Sequence, residues 1–185
     1  MHNLFLHVPG DRLSRAELGA ARLDGDVVEI GEAYAPADLV ETPALRIASL
    51  APLVQGTPEA AFAGMSAAWV HGAGDAPPRI HELQSASGRR LRASSTRQVL
   101  VHDTALEVED LRRIAGFAIA SPERTLIDLL RWPSTLPARQ DWARELSRVS
   151  PGLAARAAVR LGSIRRGPGH QRAERILALL AEEQD

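Results

Sequence analysis

The sequence predicts an α+β fold: a truncated winged-helix-like N-terminal unit made of a helix plus a hairpin, a small mixed sheet with packed helices, and a helical C-terminus. Three observations predict it. Helix-start signals recur at Ser14, Thr42-Pro43, Thr57-Pro58 and Ser121-Pro122. Short β-like runs crowd between Arg79 and Ala120. After Ser121 the pattern is helical and is broken only by proline and glycine. The length of 185 residues suits one compact domain or two small ones, and the boundary is placed between a winged-helix-like unit at 1–41 and an α/β domain with a helical C-terminal part at 42–185.

Ser14 and Glu17 have the spacing of a capping box, so a short helix runs to about Asp24 and closes at Gly25. "DVVEIGEAYAP" then reads as two strands turning at Gly31. A complete winged helix-turn-helix needs two further helices first, and the thirteen residues before Ser14 do not supply them. Thr42-Pro43 and Thr57-Pro58 each pair an N-cap with proline at the first helical position, which predicts helices over about 43–51 and 58–70. "RIHELQ", "RQVLVHD" and "RRIAGFAIA" predict three or four strands. Helices over about 122–131, 139–149, 153–161 and 170–182 complete the chain.

Composition removes whole classes of chemistry. With no cysteine there is no disulfide framework and no thiolate nucleophile or metal ligand, and the cytoplasm is the expected compartment. All 22 basic residues are arginine, which excludes a P-loop lysine and Schiff-base catalysis. The N-terminus has no basic n-region, and nowhere do eighteen apolar residues run together, so neither a leader nor a membrane anchor is expected. Charge is uneven: residues 1–60 balance at −5, residues 61–120 at +1 and residues 121–185 at +3. A nucleic-acid partner is therefore drawn to the C-terminal part.

"ASPERTLIDLLRWP" carries the densest local signal. Ser121 caps, Pro122 opens the helix and Glu123 faces the positive end of its dipole. At 100° per residue Leu126, Leu129 and Leu130 share one face, and Arg124, Asp128 and Arg131 the opposite one. That polar trio is expected to be a solvated face, an ion pair to a neighbouring element, or a partner-binding surface. "GMSAA" has a faint likeness to a nucleophile elbow, yet Ser66 falls inside an alanine-rich helix and no catalytic serine is assigned. The six histidines show no metal-binding spacing, so no metal and no cofactor is expected. Glu107, Glu109 and Asp110 beside His102 and Asp103 could serve a metal-dependent nuclease, although acids at strand ends are more often plain turns. The candidate anion-binding groups are Arg15 and Arg22 on the first helix, Arg89, Arg90 and Arg92 in "SGRRLR", and Arg165, Arg166 and Arg172 in "RRGPGHQR".

Taken in order, "LSRAELGAARLDGDVVEIGEAYAP", "TPALRIASLA", "GMSAAWVHGA" and "ASPERTLIDLL" resemble a widespread actinobacterial group of AbiEi-like proteins, antitoxins and transcriptional regulators of type IV toxin–antitoxin systems. The resemblance runs from about Ser14 to Arg131. It implies a winged-helix part that represses its own operon and a C-terminal α/β part that opposes a nucleotidyltransferase-like toxin, with no catalytic residue. The chain departs from that pattern in its short, acidic N-terminal unit. The expected function is a non-enzymatic regulator or antitoxin, with double-stranded DNA at its own promoter, a nucleotidyltransferase-like toxin and a second copy of itself as partners. The alternatives are a protein-binding module without DNA binding and, after it, the metal-dependent nuclease.

Overall fold

A computed structural model describes residues 5–89, 91, 98–132 and 138–183. Its first element is helix α1 (Arg15–Asp24), and the capping box closes as the spacing requires. The Ser14 N–H donates to Glu17 Oε2 at 2.7 Å, while the Glu17 N–H donates to Ser14 Oγ at 3.2 Å. Gly25, left-handed at φ 85°, ends the helix and turns the chain into strand β1 (Val27–Ile30), which pairs antiparallel with β2 (Ala33–Pro36). The helix-plus-hairpin unit is thus present. Its Ile30 and Ala35 are buried in the same apolar cluster as Leu45, Ile47 and Leu50 of the segment that follows.

Helix α2 (Pro43–Ser49) starts as expected, with Thr42 Oγ1 accepting the Leu45 N–H at 3.2 Å. The second Thr-Pro pair behaves differently. At Thr57-Pro58 the Ala60 N–H bonds back to the Thr57 carbonyl at 3.0 Å, a tight turn with proline at its second position, and the chain enters a strand. Ala60–Ala63 is β3, buried throughout, and helix α3 (Gly64–Val70) begins only after it. The helix expected over 58–70 is therefore corrected. Alanine favours a helix in isolation, but β3 lies between two partner strands, where small side chains suit a position covered on both faces.

Strands β4 (His81–Ser85), β5 (Val99–Ala105), β6 (Leu111–Ile114) and β7 (Phe117–Ala120) complete a five-stranded mixed sheet in the order β5-β4-β3-β7-β6. β3 runs parallel to β7 and antiparallel to β4. "RRIAGFAIA" is a hairpin, turning at Ala115 and Gly116, both at positive φ. Helices α4 (Pro122–Arg131), α5 (Arg139–Val149), α6 (Leu153–Ser163) and α7 (His170–Glu182) follow. With seven helices and two small sheets among the described residues the fold is α+β. Two apolar clusters hold it together: one joins the hairpin and α2 to the sheet around Phe62, Trp69 and Leu83, and the other joins α4 to α7 around Leu126, Leu129, Leu146 and Leu177. Among the described residues no helix is long and apolar enough to cross a membrane.

Candidate functional site

Helix α4 is capped as expected, the Arg124 N–H donating to Ser121 Oγ at 3.2 Å. Its surroundings are not. Arg124 is 5 % exposed and Asp128 is fully buried. Of the outcomes expected for Arg124 and Asp128, the ion pair to a neighbouring element is the one found and the exposed face is corrected: α4 is enclosed by α3, α5, α6 and α7, and its charges face other charges. Arg124 Nε donates to Asp128 Oδ2 at 2.8 Å, and its Nη1 donates to Asp110 Oδ2 at 2.7 Å. Arg160 of α6 donates through Nε to the other Asp110 oxygen at 2.7 Å and through Nη2 to Glu107 at 2.7 Å. Burial alone would push the Asp110 carboxyl up, but hydrogen bonds from Arg160 and Arg124 outweigh it and hold the group below the usual carboxylate range. Asp128 goes the other way. Burial raises it despite Arg124, and its Oδ1 has no hydrogen-bond partner among the described residues.

A second buried group centres on Glu82 of β4. Gly64 sits at φ 51°, and a Cβ there would run into the Glu82 carboxylate, so only glycine leaves that carboxylate room at the start of α3. Glu82 Oε1 accepts the Met65 N–H at 2.9 Å and so caps a helix whose own preceding residue, Ala63, cannot. Oε2 bonds His102 Nε2 at 2.5 Å and the buried Arg139 guanidinium. Arg139 also donates to the Asp128 carbonyl at 3.2 Å, linking the two groups. Burial lowers Arg139 to about 10, which leaves it charged at neutral pH, and burial likewise lowers His102, whose ring stacks on Trp132 at 4.7 Å.

Ser66 lies in α3, as expected, and is fully buried. Its Oγ accepts the Glu82 N–H at 3.0 Å and meets His81 Nδ1 at 3.1 Å; burial lowers His81 to about 4. The strand-turn-helix frame of a nucleophile elbow does exist here, from β3 through Gly64 into α3. The strained position, however, is occupied by glycine, and Ser66 lies two residues beyond it inside the core. Of the acids considered for a nuclease, Asp110 and Glu107 are held by arginines, and Glu109 is exposed. Among the described residues no three His, Asp or Glu side chains are grouped to hold a metal ion.

The candidate anion-binding arginines among the described residues are exposed or half-buried. Arg15 and Arg22 are exposed on α1, and Arg89 is exposed with Glu59 at 3.5 Å. Arg90 and Arg92 lie outside the described residues. Arg165 and Arg166 are exposed in the link between α6 and α7, and Arg172 stands half-buried in the first turn of α7. Arg131 joins them, its Nε donating to the Pro168 carbonyl in that link at 3.2 Å. The structure thus splits the polar trio of α4: two members go inside, and Arg131 belongs with the C-terminal arginines. Sequence reasoning missed Glu82 and Arg139 altogether. Their only local trace is the glycine that follows Ala60–Ala63, which becomes informative once β3 is known.

A family model, the AbiEi antitoxin C-terminal domain, matches residues 59–181. A solved structure, the crystal structure of the RV2827C protein from Mycobacterium tuberculosis, is 21 % identical, with 91 % of this chain and 70 % of that one covered and a TM-score of 0.37. No curated protein matches the chain. The matched family region opens at β3 and closes in α7, so it takes in the mixed sheet, both buried charge groups and the C-terminal arginines. Through that region the chain belongs to the AbiEi antitoxin family.

Proposed function

We propose that this chain is a non-enzymatic antitoxin and transcriptional regulator that acts by presenting surfaces to macromolecules, with double-stranded DNA at its own promoter as the first partner. The supporting observation is how charge is divided. The buried ionic groups around Asp110 and Glu82 are matched with one another inside the fold, whereas Arg15, Arg22, Arg165, Arg166 and Arg172 have no carboxylate partner among the described residues. Unpaired guanidinium groups on a surface suit phosphates, and a regulator needs no convergent catalytic set. The residues assigned to DNA are these five with Arg89, Arg90 and Arg92; residues 1–41 serve as the regulatory unit and 42–185 as the antitoxin-like domain.

A mobility-shift titration over the promoter of its own operon at several salt concentrations tests this. The expected result is a shift that weakens steeply with salt and weakens again when Arg165 and Arg166 become glutamine. No shift at low salt would sink it. A second reading follows from the −5 balance of residues 1–60, with Glu29 and Glu32 lining one cleft together with Tyr34 and a single cation, Arg15: the N-terminal unit docks a basic protein, either the nucleotidyltransferase-like toxin or a second copy. Co-purification with the product of an adjacent reading frame supports that reading, and DNA binding without any such partner removes it.

A further inference from the structure

The hairpin of the N-terminal unit leaves a cleft open where it packs on the segment that follows. Ile30 of β1, Leu39 after β2, Leu45 of α2 and Trp69 of α3 contribute its walls, around a cavity of about 100 Å³. Three charged residues line it, Glu29, Glu41 and Asp75, and all three are acids. These acids are exposed, whereas Ile30, Leu45 and Trp69 are buried, so the cleft has an apolar floor and an acidic rim. Glu29 also lines the cleft beside Tyr34, but Arg15 stands in that one, and no cation lines the cleft over Trp69.

Arg46 shows which group this wall accepts. Its Nε donates to Glu41 Oε1 at 2.6 Å, its Nη1 donates to the Trp69 carbonyl at 2.6 Å, and its guanidinium lies 5.1 Å from the centre of the Trp69 ring. Glu29 and Asp75, by contrast, make no salt bridge among the described residues. Apolar exposure concentrates in the same unit. Five of the eight large apolar side chains that stand exposed among the described residues, Phe5, Leu13, Leu23, Val28 and Val40, precede residue 41, and Val28 lines the cleft itself. Acids without cations repel a phosphate backbone, and apolar groups beside them suit a protein segment that is both apolar and basic. A long basic side chain combines the two properties, with an aliphatic stem for the floor and a cationic head for the rim. The cavity has room for one such side chain and for no helix.

We propose that the cleft between the hairpin and Trp69 is a docking site for a basic segment of a partner protein, which inserts one arginine side chain so that its stem packs on the apolar floor and its guanidinium meets the acids of the rim. The site rests on the second reading above and deepens it, since it gives the basic partner a place and a residue type. Arginine fits better than lysine, because its flat guanidinium stacks on an indole and bonds a carboxylate at once, as Arg46 does at this wall.

Titration of a blocked acetyl-Ala-Arg-Ala-amide peptide into the isotope-labelled full-length chain, followed by NMR, tests the site. Saturable shifts are expected at the Ile30 and Leu45 amides and at the Trp69 indole N–H. Binding should be about fivefold weaker for the same peptide with citrulline in place of arginine, and for a chain carrying Glu29→Gln and Asp75→Asn. Both replaced acids are exposed, so the double variant should melt as the parent does. Glu174→Gln, an exposed acid on α7 that does not line the cleft, serves as the control that should leave binding intact. The absence of saturable shifts at those groups, or equal binding of the citrulline peptide, would overturn the proposal. Spermidine binding at the same groups more tightly than the peptide would assign the cleft to a free amine, and a dimer in sedimentation that the double variant abolishes would assign it to a second copy; either result overturns the assignment to a partner protein. Co-purification of an adjacent gene product that survives the double variant keeps the second reading and removes this site from it, whereas peptide binding without any such product keeps the site and removes the toxin as its occupant.

Discussion

Two arginine-bearing regions of this chain have similar composition and opposite fates. Around α4, Arg124, Arg139 and Arg160 meet Asp128, Glu82, Asp110 and Glu107 within a mostly closed interior. In the α6–α7 link, Arg165, Arg166 and Arg172 meet solvent, with Arg131 laid along the main chain beside them. Taking a charge out of water is costly unless it is paired, so the first set has partners from three or more elements and binds the fold together. The second set has no such requirement and remains available to outside anions. The difference shows that an arginine's role here is set by what packs over it, and the following substitutions test that division.

The largest effect is expected in the buried set. Arg139→Ala strands Glu82 without its cation, and removal of one member of a buried pair costs about 3–5 kcal/mol. For a chain of this size that amounts to a fall in Tm of roughly 6–20 °C in a thermal melt. A fall of only a degree or two would mean that Glu82 is not charged in the core. Gly64→Ala comes next. It combines a non-glycine residue at φ 51° with a methyl placed against the Glu82 carboxylate, a loss of about 2–4 kcal/mol. Urea midpoints in the two variants should fall together, because both disturb the same carboxylate.

A smaller and pH-dependent effect belongs to Asp110. Its carboxyl lies below the ordinary range in the folded chain, so it favours the folded state at neutral pH, and that contribution is lost as pH falls from the ordinary carboxylate range through the lowered value. Asp128, raised by burial, works in reverse and at higher pH: the penalty it carries at neutral pH is relieved as pH falls from its raised value to the ordinary carboxylate range, before the Asp110 contribution is lost. Asp110→Asn should therefore lower stability at neutral pH yet flatten the decline on acidification, as read from urea midpoints at a series of pH values. A variant whose acid decline matches the parent would remove Asp110 from the account. The smallest effect on stability belongs to the exposed set: Arg165→Gln with Arg166→Gln should change it by less than about 0.5 kcal/mol. The same pair should reduce the salt dependence of DNA binding by about 0.9 in log–log slope for each phosphate that is no longer neutralised.

Local signals were legible where both partners lie within a few residues. The Ser14–Glu17 box, the Thr42 and Ser121 caps and the glycine that ends α1 were readable because each bond spans at most a turn. Thr57-Pro58 shows the limit of such reading. The same two residues that open α2 at Thr42-Pro43 make a turn into β3, since the next four residues are claimed by strands twenty and nearly sixty positions away. For the polar trio of α4 the sequence left a solvated face, an ion pair to a neighbouring element and a partner-binding surface open, and only the structure selects the ion pair for Arg124. A helical wheel assigns residues to faces, but it cannot say that the second face is covered by α6 and by the acids before β6.

By itself the sequence determined the class of chemistry: no thiol, no lysine, a basic C-terminal part, an α+β order of elements, and a family likeness. Which charges are interior, which are surface, and that Arg131 joins the C-terminal arginines while Arg124 does not, only the tertiary structure decided. Caps and turns are satisfied by near neighbours, whereas the energy of a charged side chain depends on solvent access and on partners far along the chain.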